Sequence, residues 1–202
     1  MKRDGVFLSW LVIIGTLCVF ALVTPSMGVA ATNVALGGTA TQSSTYNGIS
    51  GPQLAIDGIT DGTWPTACTA NAQPQDWWQV DLNGNYRIDS IVLWNRTDCC
   101  SDRLSNFKVS VLDAGLNVIW SGDYFTGGGY PDPSYTIALP SNTFGKFVKV
   151  SLNGSNWLQL AEVQVYGVPQ SAVPAMSQKG IILLMLGGLA VVFIYLGKKR
   201  RA

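Results

Sequence analysis

The sequence predicts an all-β fold, a sandwich or barrel of about eight short strands. Three observations predict it. Runs of β-branched and aromatic residues recur between residues 33 and 167, clusters of Gly, Asn, Asp and Pro separate them, and no segment of that stretch carries a helical period. Asn33-Val34-Ala35-Leu36 opens the domain, and Thr39-Ala40-Thr41-Gln42-Ser43-Ser44 reads as a Thr- and Ser-rich edge. Trp77-Trp78-Gln79-Val80-Asp81-Leu82 and Tyr86-Arg87-Ile88-Asp89-Ser90-Ile91-Val92-Leu93 flank Asn83-Gly84-Asn85, a turn signal, so they read as adjacent strands joined tightly. Trp77 and Trp78 alternate faces, which puts one in the core. Phe107-Lys108-Val109-Ser110-Val111 alternates as a half-buried strand does. Residues 118–120, 134–139, 147–152 and 158–166 complete the set, and Gly127-Gly128-Gly129-Tyr130-Pro131-Asp132-Pro133 is a long loop with no helix after it to make a phosphate site. A domain of roughly 135 residues buries about two-thirds of its unfolded surface, enough to stand alone.

The most informative stretch is Asn95-Arg96-Thr97-Asp98-Cys99-Cys100-Ser101-Asp102-Arg103-Leu104, a polar loop between two core strands. Two adjacent cysteines and two arginines seven apart, held at the end of a sheet, are what a small site for a hydroxyl-rich ligand needs. Arginine presents a planar fork of donors to vicinal hydroxyls or carboxylates, and Asp98 or Asp102 is placed to lock that fork. Neighbouring Cα atoms are about 3.8 Å apart, so Cys99 and Cys100 can close on each other only as a tight eight-membered ring. The same spacing equally fits a surface turn with two free thiols and two solvated ion pairs.

Both ends stand apart from the domain. Met1-Lys2-Arg3, an apolar segment over residues 6–23 and the small residues Gly28-Val29-Ala30-Ala31 follow the order of a secretory signal peptide, assigned to residues 1–31. An uncleaved N-terminal anchor is the alternative. Residues 168–179 form an extended linker, and residues 180–197 are an uncharged apolar run long enough to cross a hydrocarbon core of roughly 30 Å. Lys198-Lys199-Arg200-Arg201 follow within the basic tail 198–202, which the positive-inside rule keeps cytoplasmic, leaving the domain at 32–167 outside. Val173-Pro174-Ala175-Met176-Ser177-Gln178-Lys179-Gly180 with that helix and basic cluster resembles the bacterial C-terminal sorting signals processed by exosortase-type transpeptidases. The resemblance implies an exported protein at the cell surface, membrane-anchored before any sorting cleavage and released after it; a plain single-pass anchor reads the same way.

Charge excludes some partners. The whole chain has 13 Lys and Arg, 12 Asp and Glu and no histidine. Residues 32–167 hold only six Lys and Arg (Arg87, Arg96, Arg103, Lys108, Lys146, Lys149) against eleven Asp and Glu, an acidic balance that argues against nucleic acid and against docking on anionic lipid. Acid–base and triad chemistries lean on histidine or paired carboxylates, so the chain is not expected to be an enzyme.

Asn33-Val34-Ala35-Leu36-Gly37, Ala40-Thr41-Gln42-Ser43-Ser44, Ala55-Ile56-Asp57-Gly58, Trp77-Trp78-Gln79-Val80-Asp81-Leu82, the loop from Asn95 to Arg103 and Leu160-Ala161-Glu162-Val163 together resemble the fucolectin (F-type lectin) group within the discoidin-like, coagulation factor C-type domains. The resemblance covers nearly all of residues 32–167. It implies an eight-stranded jelly-roll β-sandwich that binds fucosylated or related glycans in a shallow pocket at one end. Carried over by position, Arg96 and Arg103 hydrogen-bond the sugar, a Cys99–Cys100 disulfide stacks on its ring, and Asp98 orients Arg96. A structural calcium ion is implied in the stretch Asp57-Gly58-Ile59-Thr60-Asp61-Gly62-Thr63, held by the carboxylates of Asp61 and Glu162 and by carbonyls near Ile59 and Thr63, in keeping with the six to eight oxygens calcium takes. An Asx-Gly turn without metal is the alternative there.

Two departures qualify the resemblance. The family's sugar-binding histidine falls where this chain has Ala70-Asn71, and only Asn71 can still give and accept hydrogen bonds, so it is the expected substitute. The family's usual partner for Cys68 falls at Ala161, so Cys68 is expected to be a free thiol. Trp64, Tyr46 and Trp157 are expected to be core or edge residues rather than sugar platforms. The expected function is that of a calcium-stabilised, sugar-binding domain outside the cell, with assembly into a homo-oligomer left open. The alternative is an adhesion module that binds protein or lipid through its loop tips, Tyr46-Asn47-Gly48-Ile49 and Thr63-Trp64-Pro65.

Overall fold

The structure, a computed structural model, describes residues 29–69 and 74–170. The signal peptide up to residue 28, Asn71, and the apolar helix and basic tail beyond residue 170 lie outside the described residues. Among those described, no helix is long and apolar enough to cross a membrane.

Every strand pairing is antiparallel: β1 (Thr32–Asn33), β2 (Thr39–Gln42), β3 (Ala67–Cys68), β4 (Trp77–Trp94), β5 (Phe107–Leu112), β6 (Val118–Tyr124), β7 (Ser134–Ala138), β8 (Phe144–Leu152), β9 (Gln159–Leu160) and β10 (Glu162–Pro169). The fold is an all-β sandwich, and β4 is its spine. The first half of β4 pairs with β2 and β8, from which β5 and β6 continue, whereas its second half pairs with β10 and β7. One strand thus belongs to both layers, which is why a single hydrogen-bonded path links them. A separate pair, β3 with β9, sits at one end.

The predicted tight turn at Asn83-Gly84-Asn85 is instead an irregularity inside β4. Pairing with β8 shifts register between Asp81 and Tyr86, and Asn83 adopts a left-handed backbone at φ 59°. The polar groups that suggested a turn are satisfied locally: Asn83 N–H donates to Asp81 Oδ1 at 2.8 Å and its side-chain amide to the Gly37 carbonyl at 2.8 Å. The chain therefore continues through the irregularity as one strand. Trp78, Val80, Leu82 and Ile88 face inward along β4, but beyond them the inward set is Ile91 and Leu93. The switch from even to odd positions comes at Asp89, which the pairing with β10 skips. One extra residue in a strand reverses its faces, and here it lets an 18-residue strand bury apolar side chains in both halves.

Trp78 is the buried member of its pair, with its indole N–H donating to the Pro52 carbonyl at 2.9 Å. Phe107, Val109, Val111, Val148, Val150, Val163 and Val165 fill the space between the layers. The last strand extends through Pro169, two residues past the expected domain boundary, and Ala161 separates β9 from β10 where a single strand was expected. At that break the Ala161 N–H donates to the Trp94 carbonyl at 2.9 Å, handing the chain from β3 to β4.

Candidate functional site

The loop at residues 95–104 leaves the end of β4 and returns to β5, and its first residue holds it together. Asn95 is buried; its side-chain N–H groups donate to the carbonyls of Ser101 and Pro131, both at 2.9 Å, and its Oδ1 accepts from Arg96 N–H at 2.8 Å. An amide can both donate and accept, so one side chain satisfies three backbone groups at once. Ser101 Oγ closes the loop by donating to the Arg96 carbonyl at 3.0 Å. Cys100 is left-handed at φ 59°, after which Ser101–Arg103 makes one 3₁₀ turn ending on the buried Leu104. Cys99 and Cys100 are joined by a disulfide.

The two arginines are held in the same way by different partners. Arg96 makes a two-point ion pair with Asp98, Nε to Oδ1 and Nη2 to Oδ2, while its guanidinium lies over the Trp64 ring at 4.7 Å. The Arg96 hydrogen bonds hold the Asp98 carboxyl below its ordinary range. The Arg103 guanidinium lies over the Trp157 ring, also at 4.7 Å, and finds no hydrogen-bond acceptor among the described residues. A planar cation stacked on an indole has its plane fixed, and its N–H donors lie in that plane. Both guanidiniums, the disulfide, Trp64, Trp157, Tyr46, Asn47, Cys68 and Gln159 line one cavity of about 400 Å³. That is within the size range of small-molecule sites.

Arg96, Cys99, Cys100 and Arg103 therefore reach a single cavity, with Asp98 behind Arg96; Asn71 lies outside the described residues. Cys68 carries a free thiol, buried in the cavity floor, and burial pushes its pKa up against the pull of the nearby Gln159 amide and both arginines. Three aromatics expected in the core or at an edge are on the cavity wall instead. Tyr46 stays 37% exposed and meets Trp64 edge-on at 5.9 Å, and Trp64 and Trp157 are half-buried. The indoles are large enough to pack on the sandwich end and still offer a face to an arginine. Gln159 was not singled out from the sequence, because alone it reads as one more polar residue in a strand.

The loop at residues 57–63 packs beside the arginine loop. Thr97 N–H donates to the Gly62 carbonyl at 2.9 Å and Thr97 Oγ1 to the Asp61 carbonyl at 2.7 Å. Gly62, at φ +74°, is where the two loops touch: a Cβ there would lie 2.5 Å from the Asn95 carbonyl. Ile59, Asp61 and Thr63 line a second cavity with Thr66, and Asp61 Oδ1 is capped by Thr63 N–H at 2.9 Å. Glu162 is wholly covered. One of its oxygens accepts from Gly58 N–H at 3.2 Å, while the other, like the buried Thr66 hydroxyl, has no hydrogen-bond partner among the described residues. Burial pushes the Glu162 carboxyl up to about 7; the Gly58 bond pulls the other way and the Asp57 charge adds to the rise. Among the described residues no three His, Cys, Asp or Glu side chains group closely enough to hold a metal unaided. The Glu162 and Thr66 oxygens left without a partner among the described residues are hard donors of the kind calcium takes.

Comparison with known proteins gives consistent likenesses. Residues 54–150 match a family described as NedA-like, galactose-binding domain, of the F5/F8 type C group. Fucolectin-1 of Anguilla japonica is 35% identical over 148 residues, covering 66% of this chain and 79% of that protein. A fucose binding module of Streptococcus pneumoniae superposes with a TM-score of 0.60 at 30% identity, covering 67% of this chain and 97% of the module. The lectin domain of lectinolysin complexed with Lewis B antigen gives 0.61 at 31% identity, covering 68% and 97%.

Proposed function

Since the chain belongs to the fucolectin family, we propose that it is a carbohydrate-binding lectin that takes a fucose-type sugar into the cavity between Arg96 and Arg103. One observation carries this reading: two guanidiniums, each over an indole ring at 4.7 Å, share a small cavity with a disulfide. Arg103 has no hydrogen-bond acceptor among the described residues, which leaves its donors to sugar hydroxyls. Arg96 keeps those not engaged by Asp98, and the ion pair fixes where they point. The disulfide and the indole edges supply polarisable, weakly hydrated surface for the apolar face of a pyranose ring. Our reading is binding rather than catalysis, in keeping with the lectin relatives and with Asp98 being committed to Arg96.

Calcium belongs to the same proposal. Glu162 would hold it, together with Asp61 and carbonyls near Ile59 and Thr63. Glu162 held to calcium would have its buried charge neutralised, and the loop at residues 57–63 would be tied to its neighbours. Thr97 passes that order to Arg96 through its two hydrogen bonds to Asp61 and Gly62. Export across the membrane is proposed from the two apolar ends, with surface display or release following whichever processing the C-terminal signal undergoes.

The test is a glycan array with the full-length chain in calcium, alongside Arg96→Ala and Arg103→Ala. Fucosylated glycans should give the signal, free L-fucose should compete it away, and each substitution should abolish it, because hydrogen bonds to a charged donor contribute about 1.5–3 kcal/mol each. Absence of any sugar signal, or an Arg103→Ala protein that binds unchanged, overturns the reading.

A further inference from the structure

Gln159 is a buried polar side chain with nothing conventional to bond. It is 1% exposed, it lines the cavity, and neither its amide oxygen nor its amide nitrogen has a hydrogen-bond partner among the described residues. Its position is set by the β3–β9 pair, in which Gln159 lies opposite Cys68, and Leu158 and Thr69 lock the two strands with bonds of 3.0 and 3.1 Å. Cys68, Gln159, Arg96 and Arg103 line the same cavity, and the Gln159 amide beside it pulls the Cys68 thiol down against burial. A sulfur contact is too weak to satisfy an amide. Leaving such a group unpaired in a dry site is costly, and a native protein that retains one there generally does so for a ligand.

The hydrogen-bond polarity of the cavity says what that ligand needs. Guanidiniums only donate, and so do indole N–H groups. A neutral hydroxyl that accepts from Arg96 or Arg103 still carries its own proton, which must go to an acceptor. Asn47 and Tyr46 are at the exposed mouth, and Asp98 is committed to Arg96. Among the described side chains that line the cavity, the buried acceptor is Gln159 Oε1. Whichever way the amide is turned, it offers one acceptor and two donors at that place. An anion brings no proton, so it leaves that acceptor unpaired even where it takes up the amide's donors.

Resting on the lectin reading above, we propose that Gln159 is a specificity-determining residue. It accepts the hydroxyl proton of a neutral sugar bound by the two arginines, and so takes in this histidine-free chain the place of a ring nitrogen. It thereby biases the site toward neutral over anionic ligands.

The experiment titrates the full-length chain and Gln159→Met with methyl α-L-fucoside, and separately measures competition by inorganic sulfate. Gln159→Leu serves as a second variant of similar volume should the first fail to fold. The substitution should weaken the fucoside about tenfold, the equivalent of one lost bond with its partner left unpaired. Sulfate should compete as well as before or better, since the guanidiniums are untouched. Unchanged fucoside affinity, or equal weakening of fucoside and sulfate, overturns the role of Gln159 while the lectin reading stands. A wild-type chain that binds sulfate but no fucoside overturns both.

Discussion

Asn95 is the residue on which the site's geometry turns, because its amide joins the start of the arginine loop, its 3₁₀ turn and the loop at Pro131. Asn95→Ala leaves three buried backbone groups to find new partners. We expect a loss of about 1–3 kcal/mol, read as a lowered midpoint in urea unfolding, with sugar binding weakened further than global stability. Asp98 sets a pH limit on the same loop. Its pKa is held down in the folded protein by the Arg96 hydrogen bonds, so its contribution is present above the unfolded carboxylate value near 3.9 and disappears as pH falls through the lower folded value. With calcium in excess, so that the raised Glu162 carboxyl stays ionised, fucoside affinity should stay flat from neutral pH to about pH 4 and fall only below it. Asp98→Asn should bind more weakly at neutral pH and lack that acid-side step; a wild-type profile in excess calcium already declining at pH 6 would contradict the assignment.

Elements matter through the way they meet. The joint between the loop at 57–63 and the arginine loop is Gly62, where both a left-handed backbone and the Asn95 carbonyl forbid a side chain. Gly62→Ala should lower stability by about 1–3 kcal/mol and cut sugar affinity with it. Gly37→Ala is the matched control, since nothing lies within 4 Å of a Cβ added there. Thermal melts and fucoside titrations of the two variants check this, and equal behaviour would mean that the joint does not transmit order to Arg96. The irregularity of β4 also acts at this scale. By switching faces at Asp89 it keeps Ile91 and Leu93 in the core while delivering Asn95 and Arg96 to the sandwich end. The run that reads as two strands with a turn is one continuous support for the site.

At the scale of the whole molecule, the Glu162 and Thr66 oxygens that have no hydrogen-bond partner among the described residues support the proposal that a cation completes the folded state. Removing divalent metal with EGTA should lower the melting temperature and calcium should restore it; a ligand at a hundredfold excess over its Kd contributes about 2.7 kcal/mol. No shift in either direction would argue for a metal-free turn. Much of the architecture was legible in the chain alone. The period-two apolar runs gave an all-β sandwich, because burial of one strand face leaves a local imprint on every second residue. The arginines and cysteines of residues 96–103 were legible together because they are contiguous. The Asn83-Gly84-Asn85 turn was misread, since left-handed Asn occurs in bulges as readily as in hairpins. Trp64, Trp157 and Gln159 could not be read as neighbours of those arginines, for each looks locally like an ordinary loop or strand residue. They meet only because two-residue strands pair across 89 positions of chain, as Thr69 and Leu158 show. Local pattern was enough to name the sandwich and its binding loop. Which groups face that loop across the cavity was left to long-range pairing, whose register depends on packing that no short window of sequence contains.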